Sequence, residues 1–268
     1  MKKIIITGAP RTGSTALNTL LTYSPKILVM NELAIFDYEP NHYYNCHRKK
    51  INNQYNTKFL KWKGLAEKDI DDFFIGNFEN KGNLEFFGDK FLTYCDTEKY
   101  CNNLVENHPD AYFIFTYRNP CASIYSGIKR SKIEKAEGAD WFFKSFEENS
   151  KKLMNKTLNW SALIHPYVKN KIIIDYDHYI NNVDLLINDL SVFLDTDLNI
   201  QNPETLIGHN EMFDNGKRGL YENPDPHEYK NHLSAKEIEF IIGQTSQMDQ
   251  RIRNLIKYNR NNLHQNVF

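Results

Sequence analysis

The chain of 268 residues is 41% hydrophobic and 25% charged, enough to bury one sizeable α/β core, and nothing in it forces a second domain. A formal net charge of −1 sets up no overall field that would recruit nucleic acid or an anionic membrane, although a local basic pocket stays open to it. No run approaches the roughly 20 apolar residues of a membrane span, and the apolar run behind Lys2 and Lys3 ends at Ile6, too short for a signal-peptide core. The expectation is a soluble, cytoplasmic protein.

In chain order, periodicity predicts a strand over Lys2 to Thr7, a helix over Gly13 to Tyr23 and a strand over Ile27 to Met30. Between the first two lies GAPRTGST, Gly8 to Thr15. A nucleotide-triphosphatase loop reads G-x-x-x-x-G-K-[ST]; here Gly8, Gly13 and Thr15 are kept and Ser14 stands where the lysine would be. Backbone amides at a helix N-terminus still favour an anion, and Arg11 adds a fixed positive charge, so this turn is expected to hold a phosphate without a metal.

Residues 37–84 read as a single polar and aromatic insertion, with Tyr38, Tyr43, Tyr44, Tyr55 and Trp62 among many Asn and Lys. It is either a mobile lid or acceptor-binding insertion, since long connections are often functional, or a solvated loop with a short helix or two; a helix is expected around Glu67 to Phe78. A strand is predicted around Leu84 to Gly88, a helix from Thr97 to Glu106 and a buried strand over Ala111 to Tyr117.

That strand delivers Arg118-Asn119-Pro120, and Pro120 suits the first turn of a following helix carrying Ser126 and Arg130. The planar fork of arginine matches phosphate oxygens, and a hydroxyl one or two turns along completes such a grip. Two anion sites at two strand ends suggest a ligand with two separated phosphates.

A long helix is expected from about Asp140 to Ile164, with Phe142, Phe146, Leu153 and Trp160 along one core-facing side. A strand over Lys171 to Asp175 and a helix reaching Leu194 follow. The last helix begins at Ser234 with Glu237 three residues on, a capping box, and is expected to turn Ile238, Ile241, Ile242 and Met248 inward. The alternation argues for one α/β domain, a P-loop-type three-layer fold with a doubly wound central parallel sheet flanked by helices, binding its ligand at the C-terminal strand ends. Cys46, Cys95, Cys101 and Cys121 form no C-x-x-C pair, and His42 and His47 are spaced wrongly for one helix face, so reduced, buried thiols and no metal are expected.

P-R-T-G-S-T near the N-terminus and R-N-P-x5-S further on resemble the two cofactor signatures of the sulfotransferases that use 3′-phosphoadenosine 5′-phosphosulfate (PAPS). The resemblance implies that Arg11, Thr12, Gly13, Ser14 and Thr15 grip the 5′-phosphosulfate, and Arg118 with Ser126 the 3′-phosphate. Arg11, where cytosolic members carry lysine, and Arg130, four residues beyond Ser126, are closer to the tyrosylprotein and bacterial branches.

By the same resemblance an acidic residue at the place of Glu32 is the general base, with a salt-bridged or helix-capping carboxylate as the plainer alternative and Asp37 or Glu39 in reserve. The K-T-H-L-P stretch of cytosolic members, whose histidine is their base, is matched by Lys90-Phe91-Leu92, without a histidine. Lys90 resembles the lysine that stabilises the transferring group; the alternative is a surface ion pair with Asp89. Tyr176 matches a position near the adenine, and Lys217 with Arg218 resembles the late basic loop over the 3′-phosphate, or else is a solvated pair. Sulfuryl transfer needs a base, positive charge on the moving group and an in-line pocket, and fixed cations serve where a phosphoryl group would need Mg.

The implied activity is transfer of SO3 from PAPS, released as 3′-phosphoadenosine 5′-phosphate (PAP), to a hydroxyl or amine of a small-molecule, carbohydrate or peptide acceptor. A small-metabolite kinase and a non-catalytic nucleotide-binding module are the rival readings. Neither the acceptor nor the oligomeric state is legible in the sequence.

Overall fold

In a computed structural model, residues 1–32, 35–36, 84–136, 145–200 and 225–265 are described. Five parallel strands form one sheet in the order β2-β3-β1-β4-β5: β1 Lys2–Gly8, β2 Ile27–Asn31, β3 Phe86–Lys90, β4 Tyr112–Tyr117 and β5 Asn170–Asp175. The chain builds β2 and β3 on one side of β1, then crosses to build β4 and β5 on the other. The order therefore reverses beside β1, between the strands that carry the two phosphate motifs, and such a switch point is where open α/β sheets hold ligands.

Successive strand residues point to opposite faces, and a parallel sheet needs both faces covered. Ile4 and Ile6 face one way with Val29, Ile114 and Ile174, under α1 (Ser14–Thr22) and α5 (Val183–Leu194). Ile5 faces the other with Met30, Phe87, Phe113 and Phe115, under α2 (Glu98–Asn107), α4 (Phe146–Asn159) and α6 (Ala235–Gln265). Trp160 stacks on Phe115 with ring centroids 5.0 Å apart. A further helix, α3 (Pro120–Ala136), leaves β4 and packs against α6 and α4.

Three expectations change. The third strand runs two residues beyond Gly88: Lys2 pairs with Phe86 and Ile6 with Lys90, so the charged Asp89 and Lys90, which read as a strand end, are inside the sheet. Ser145 is extended and accepts from the Glu148 N–H at 3.1 Å, so α4 starts at Phe146 and not near Asp140, and its end widens into a π-turn at Trp160–Ile164. Ile242 is 51% exposed while Ile241 is fully buried, because adjacent residues on a helix cannot share one inward line. Cys95, Cys101 and Cys121 are buried free thiols. The expected helix over Glu67 to Phe78, and Cys46, His42, His47 and Phe142, lie outside the described residues, as does nearly all of the 37–84 insertion. Among the described residues no helix is long and apolar enough to cross a membrane.

Candidate active site

The turn after β1 is shaped by two glycines and a buried hydroxyl. Gly8 has φ 153°, and a Cβ there would fall 2.5 Å from Thr116 Oγ1; Gly13 has φ 86°, and a Cβ there would fall 2.0 Å from the Tyr176 ring. Neither place admits a side chain. Thr12 Oγ1 donates to the Ala9 carbonyl at 2.7 Å and lies 2.7 Å from Thr116 Oγ1, so its side chain ties the turn to β4.

Gly13 is the N-cap of α1 and makes no side-chain capping bond, and the first turn, Ser14 and Thr15 included, carries no acidic residue. The first amides of a helix have no intrahelical acceptor, so this end is open to an anion. Arg11, held at φ 67°, donates its Nε–H to Ser126 Oγ at 3.3 Å. One contact thus joins the turn after β1 to the helix after β4. Arg130 follows on the same face of α3, one turn beyond Ser126.

Arg118, at the end of β4, pairs through Nε with Asp177 Oδ1 at 3.1 Å, and its guanidinium lies 4.7 Å from the centre of the Tyr176 ring. The Tyr176 ring is therefore packed between Gly13 and Arg118. Asn119 Oδ1 accepts from the Cys121 and Ala122 amides, capping α3, and Ser123 Oγ donates to the Pro10 carbonyl at 2.8 Å, locking α3 to the first turn.

On the other side of β1, Lys90 Nζ lies 2.6 Å from Glu32 Oε1; the lysine side chain is 1% exposed and the carboxylate 41%. Glu32 sits at φ 61°, with its N–H on the Lys90 carbonyl at 2.8 Å. Lys90 is not in a surface pair with Asp89. Consecutive strand residues face opposite ways, and Asp89, fully buried, accepts from the Ile35 N–H at 3.2 Å and the Tyr94 hydroxyl at 3.1 Å. Tyr94 Oη in turn accepts from the Phe36 N–H at 2.9 Å. The chain leaving Glu32 is thus pinned on both sides.

Around the strand ends, burial and then the neighbouring Asp177 push the Asp175 carboxyl up, opposed by Arg253 and Arg260. Burial first, then Asp249, raises the Tyr117 hydroxyl well above its ordinary value.

The site thus brings together Arg11, Thr12, Gly13, Ser14, Thr15, Ser126, Arg118 and Tyr176, with Glu32 and Lys90 beside them as a second group. Lys217 and Arg218 lie outside the described residues. Sequence reasoning gave no role to Asp177, Asn119 or Tyr94, and had Asp89 only as a surface partner for Lys90. Asp177 was within reach of it, one residue past Tyr176 at the end of a predicted strand, the edge where ligands are expected. Among the described residues no group of three or more His, Cys, Asp or Glu is placed to hold a metal ion.

A five-stranded parallel sheet flanked by helices, with an uncapped helix end after its first strand, is a P-loop-type α/β fold. The sulfotransferase family model matches residues 3–199, and the chain belongs to that family. That membership decides against the small-metabolite kinase. The fold is similar to a sulfotransferase from Alicyclobacillus acidocaldarius, at 14% identity over 96% of each chain with a TM-score of 0.57. It is also similar to the sulfotransferase domain of the curacin biosynthetic pathway, at 17% identity over 91% of this chain and 97% of that one, TM-score 0.59. A third similar structure is the sulfotransferase domain of the Synechococcus PCC 7002 olefin synthase, at 14% identity over 90% and 92%, TM-score 0.59. No curated protein sequence matches this one.

Proposed function

We propose that this enzyme moves a sulfuryl group from PAPS to a hydroxyl or amine of its acceptor, with Glu32 as general base. The observation that carries the donor reading is the Arg11 to Ser126 contact, which brings an uncapped helix N-terminus and the Arg118 strand end to one place. That donor set fits a molecule with one phosphate group at each end of a nucleoside: open amides and Arg11 for the 5′ side, Arg118 and Ser126 for the 3′ side. Tyr176, packed between the two, is the surface on which the nucleoside rests. When bound, PAPS supplies an activated sulfuryl group.

The residues of the chain divide the remaining work. Arg11 and the α1 amides hold the 5′ end and take up the negative charge that grows on the bridging oxygen. Lys90, buried, held by Glu32 and paired with Ile6 of β1, is the fixed cation we assign to the transferring oxygens. Glu32 is the more exposed of the pair, so its carboxylate is open to an acceptor hydroxyl and accepts that proton. The salt-bridged carboxylate and the base are then one residue.

Calorimetric titration of the purified, metal-free protein with PAP, ADP and ATP plus Mg tests the donor. Micromolar PAP binding that drops sharply for ADP, and for Arg118→Ala, is expected. Preference for ATP plus Mg, or no binding to any of them, would remove the PAPS reading.

A further inference from the structure

Asp177 touches Arg118, the arginine assigned above to the 3′-phosphate, on its Nε edge. Its Oδ1 accepts from Arg118 Nε at 3.1 Å and its Oδ2 accepts from the Asn119 N–H at 2.9 Å. A guanidinium has five N–H groups in a rigid fork. With Nε taken by Asp177 and one face covered by the Tyr176 ring, the Nη pair is left, and among the described residues it has no protein partner. That remaining edge still presents two parallel N–H groups that can grip two oxygens side by side.

The second oxygen of Asp177 extends the effect. Asn119, whose amide it holds, caps α3 through the Cys121 and Ala122 amides, and α3 carries Ser126. One carboxylate therefore sets the Arg118 fork and the start of the helix that presents the partner hydroxyl. It sits on the first helical turn after β5, and β5 runs beside β4 with Tyr117 paired to Asp175, so the two loops leave the sheet side by side.

We infer that Asp177 is a positioning residue for recognition of the 3′-phosphate, acting through Arg118 and Asn119 without touching the ligand; the inference rests on the donor reading above. Two effects of opposite sign compete. The carboxylate repels a phosphate, which would make its removal tighten binding, but it also fixes an otherwise free arginine and a strand-end amide. Its charge is already matched by the Arg118 guanidinium in direct contact, so orientation dominates. Lysine at 118 would not substitute, because its single ammonium would be taken by Asp177.

The test is calorimetric titration of the full chain, wild type and Asp177→Ala, Asp177→Asn and Arg118→Lys, with PAP and with ADP, which lacks the 3′-phosphate. Asp177→Ala is expected to weaken PAP binding by about tenfold or more, the worth of one charge-assisted hydrogen bond, and leave ADP within about twofold. Asp177→Asn, keeping one acceptor oxygen, should fall between, and Arg118→Lys should lose the PAP preference. Should Asp177→Ala not fold, Asp177→Asn carries the same criterion. A variant that binds PAP as well as or better than wild type overturns the inference, since the carboxylate would then be a competitor. So does an equal loss for PAP and ADP, which marks a general structural role. If wild type itself does not prefer PAP over ADP, the donor reading fails and the inference with it.

Discussion

Arg11 and Glu32 both hold a positive φ, 67° and 61°, in a region that side chains with a Cβ enter only at a cost of about 1–3 kcal/mol. The other two such residues among those described, Asp195 and Asn199, sit at or just past the end of α5. At Glu32 the surroundings hold the conformation: its amide is on Lys90 O, its carboxylate is on Lys90 Nζ, and Asp89 with Tyr94 grips the residues that follow. Glu32→Gln keeps an acceptor oxygen for Lys90 but cannot take a proton. Turnover should fall about 10²-fold or more with PAP affinity unchanged. A steady-state assay beside a PAP titration checks this, and near-normal turnover with normal donor binding would end the role of Glu32 as base.

Among the elements, α6 is the longest helix described, and its start is set by the reciprocal cap foreseen from Ser234 and Glu237. The Ser234 amide reaches Glu237 Oε2 at 2.7 Å, and the Glu237 amide reaches Ser234 Oγ at 3.3 Å. The two bonds from Ser234 hold the Glu237 carboxyl below its ordinary value. A carboxylate depressed in the folded state contributes stability above its unfolded pKa and loses it as pH falls through the folded one. Glu237→Ala should therefore lower the melting temperature by a few degrees at most near neutral pH, and the gap to wild type should close in acid. Melting curves at pH 7 and about pH 3 measure both ends; a gap that persists in acid would assign the effect to helix propensity and not to the ionised cap.

At the scale of the whole molecule, α6 reaches back to the strand end that delivers Arg118. Tyr117, 1% exposed, donates its hydroxyl to Asp249, and Arg253 Nε holds the other Asp249 oxygen at 2.8 Å. The late helix, more than a hundred residues downstream, is thereby fastened to the binding edge of the sheet. Tyr117→Phe leaves Asp249 with Arg253 and removes the tie to β4, and should destabilise the protein by about 1–3 kcal/mol. Chemical denaturation monitored by fluorescence reports the change. A loss below about 0.5 kcal/mol would mean that solvent satisfies Asp249 as well as the tyrosine does.

The sheet was legible because its residues are apolar on both faces, as at Ile4 to Ile6 and Phe113 to Phe115, and because both phosphate motifs directly follow such runs. The reciprocal cap of α6 was equally local, since a cap is a contact over a few residues of chain. The extension of β3 over Asp89 and Lys90 was not, because a charged residue reads as solvated until its partner is known, and those partners lie 54 and 58 residues away at Ile35 and Glu32. Nor was the pairing of Asp177 with Arg118, although the strand end that carries Asp177 was legible, because that pairing rests on β4 and β5 being neighbours. By itself the sequence determined the kind of fold and which strand ends carry the two short motifs, for these depend on periodicity and local pattern. Only the tertiary structure decided which carboxylate meets which cation, because charges distant along the chain are paired by strand order and register.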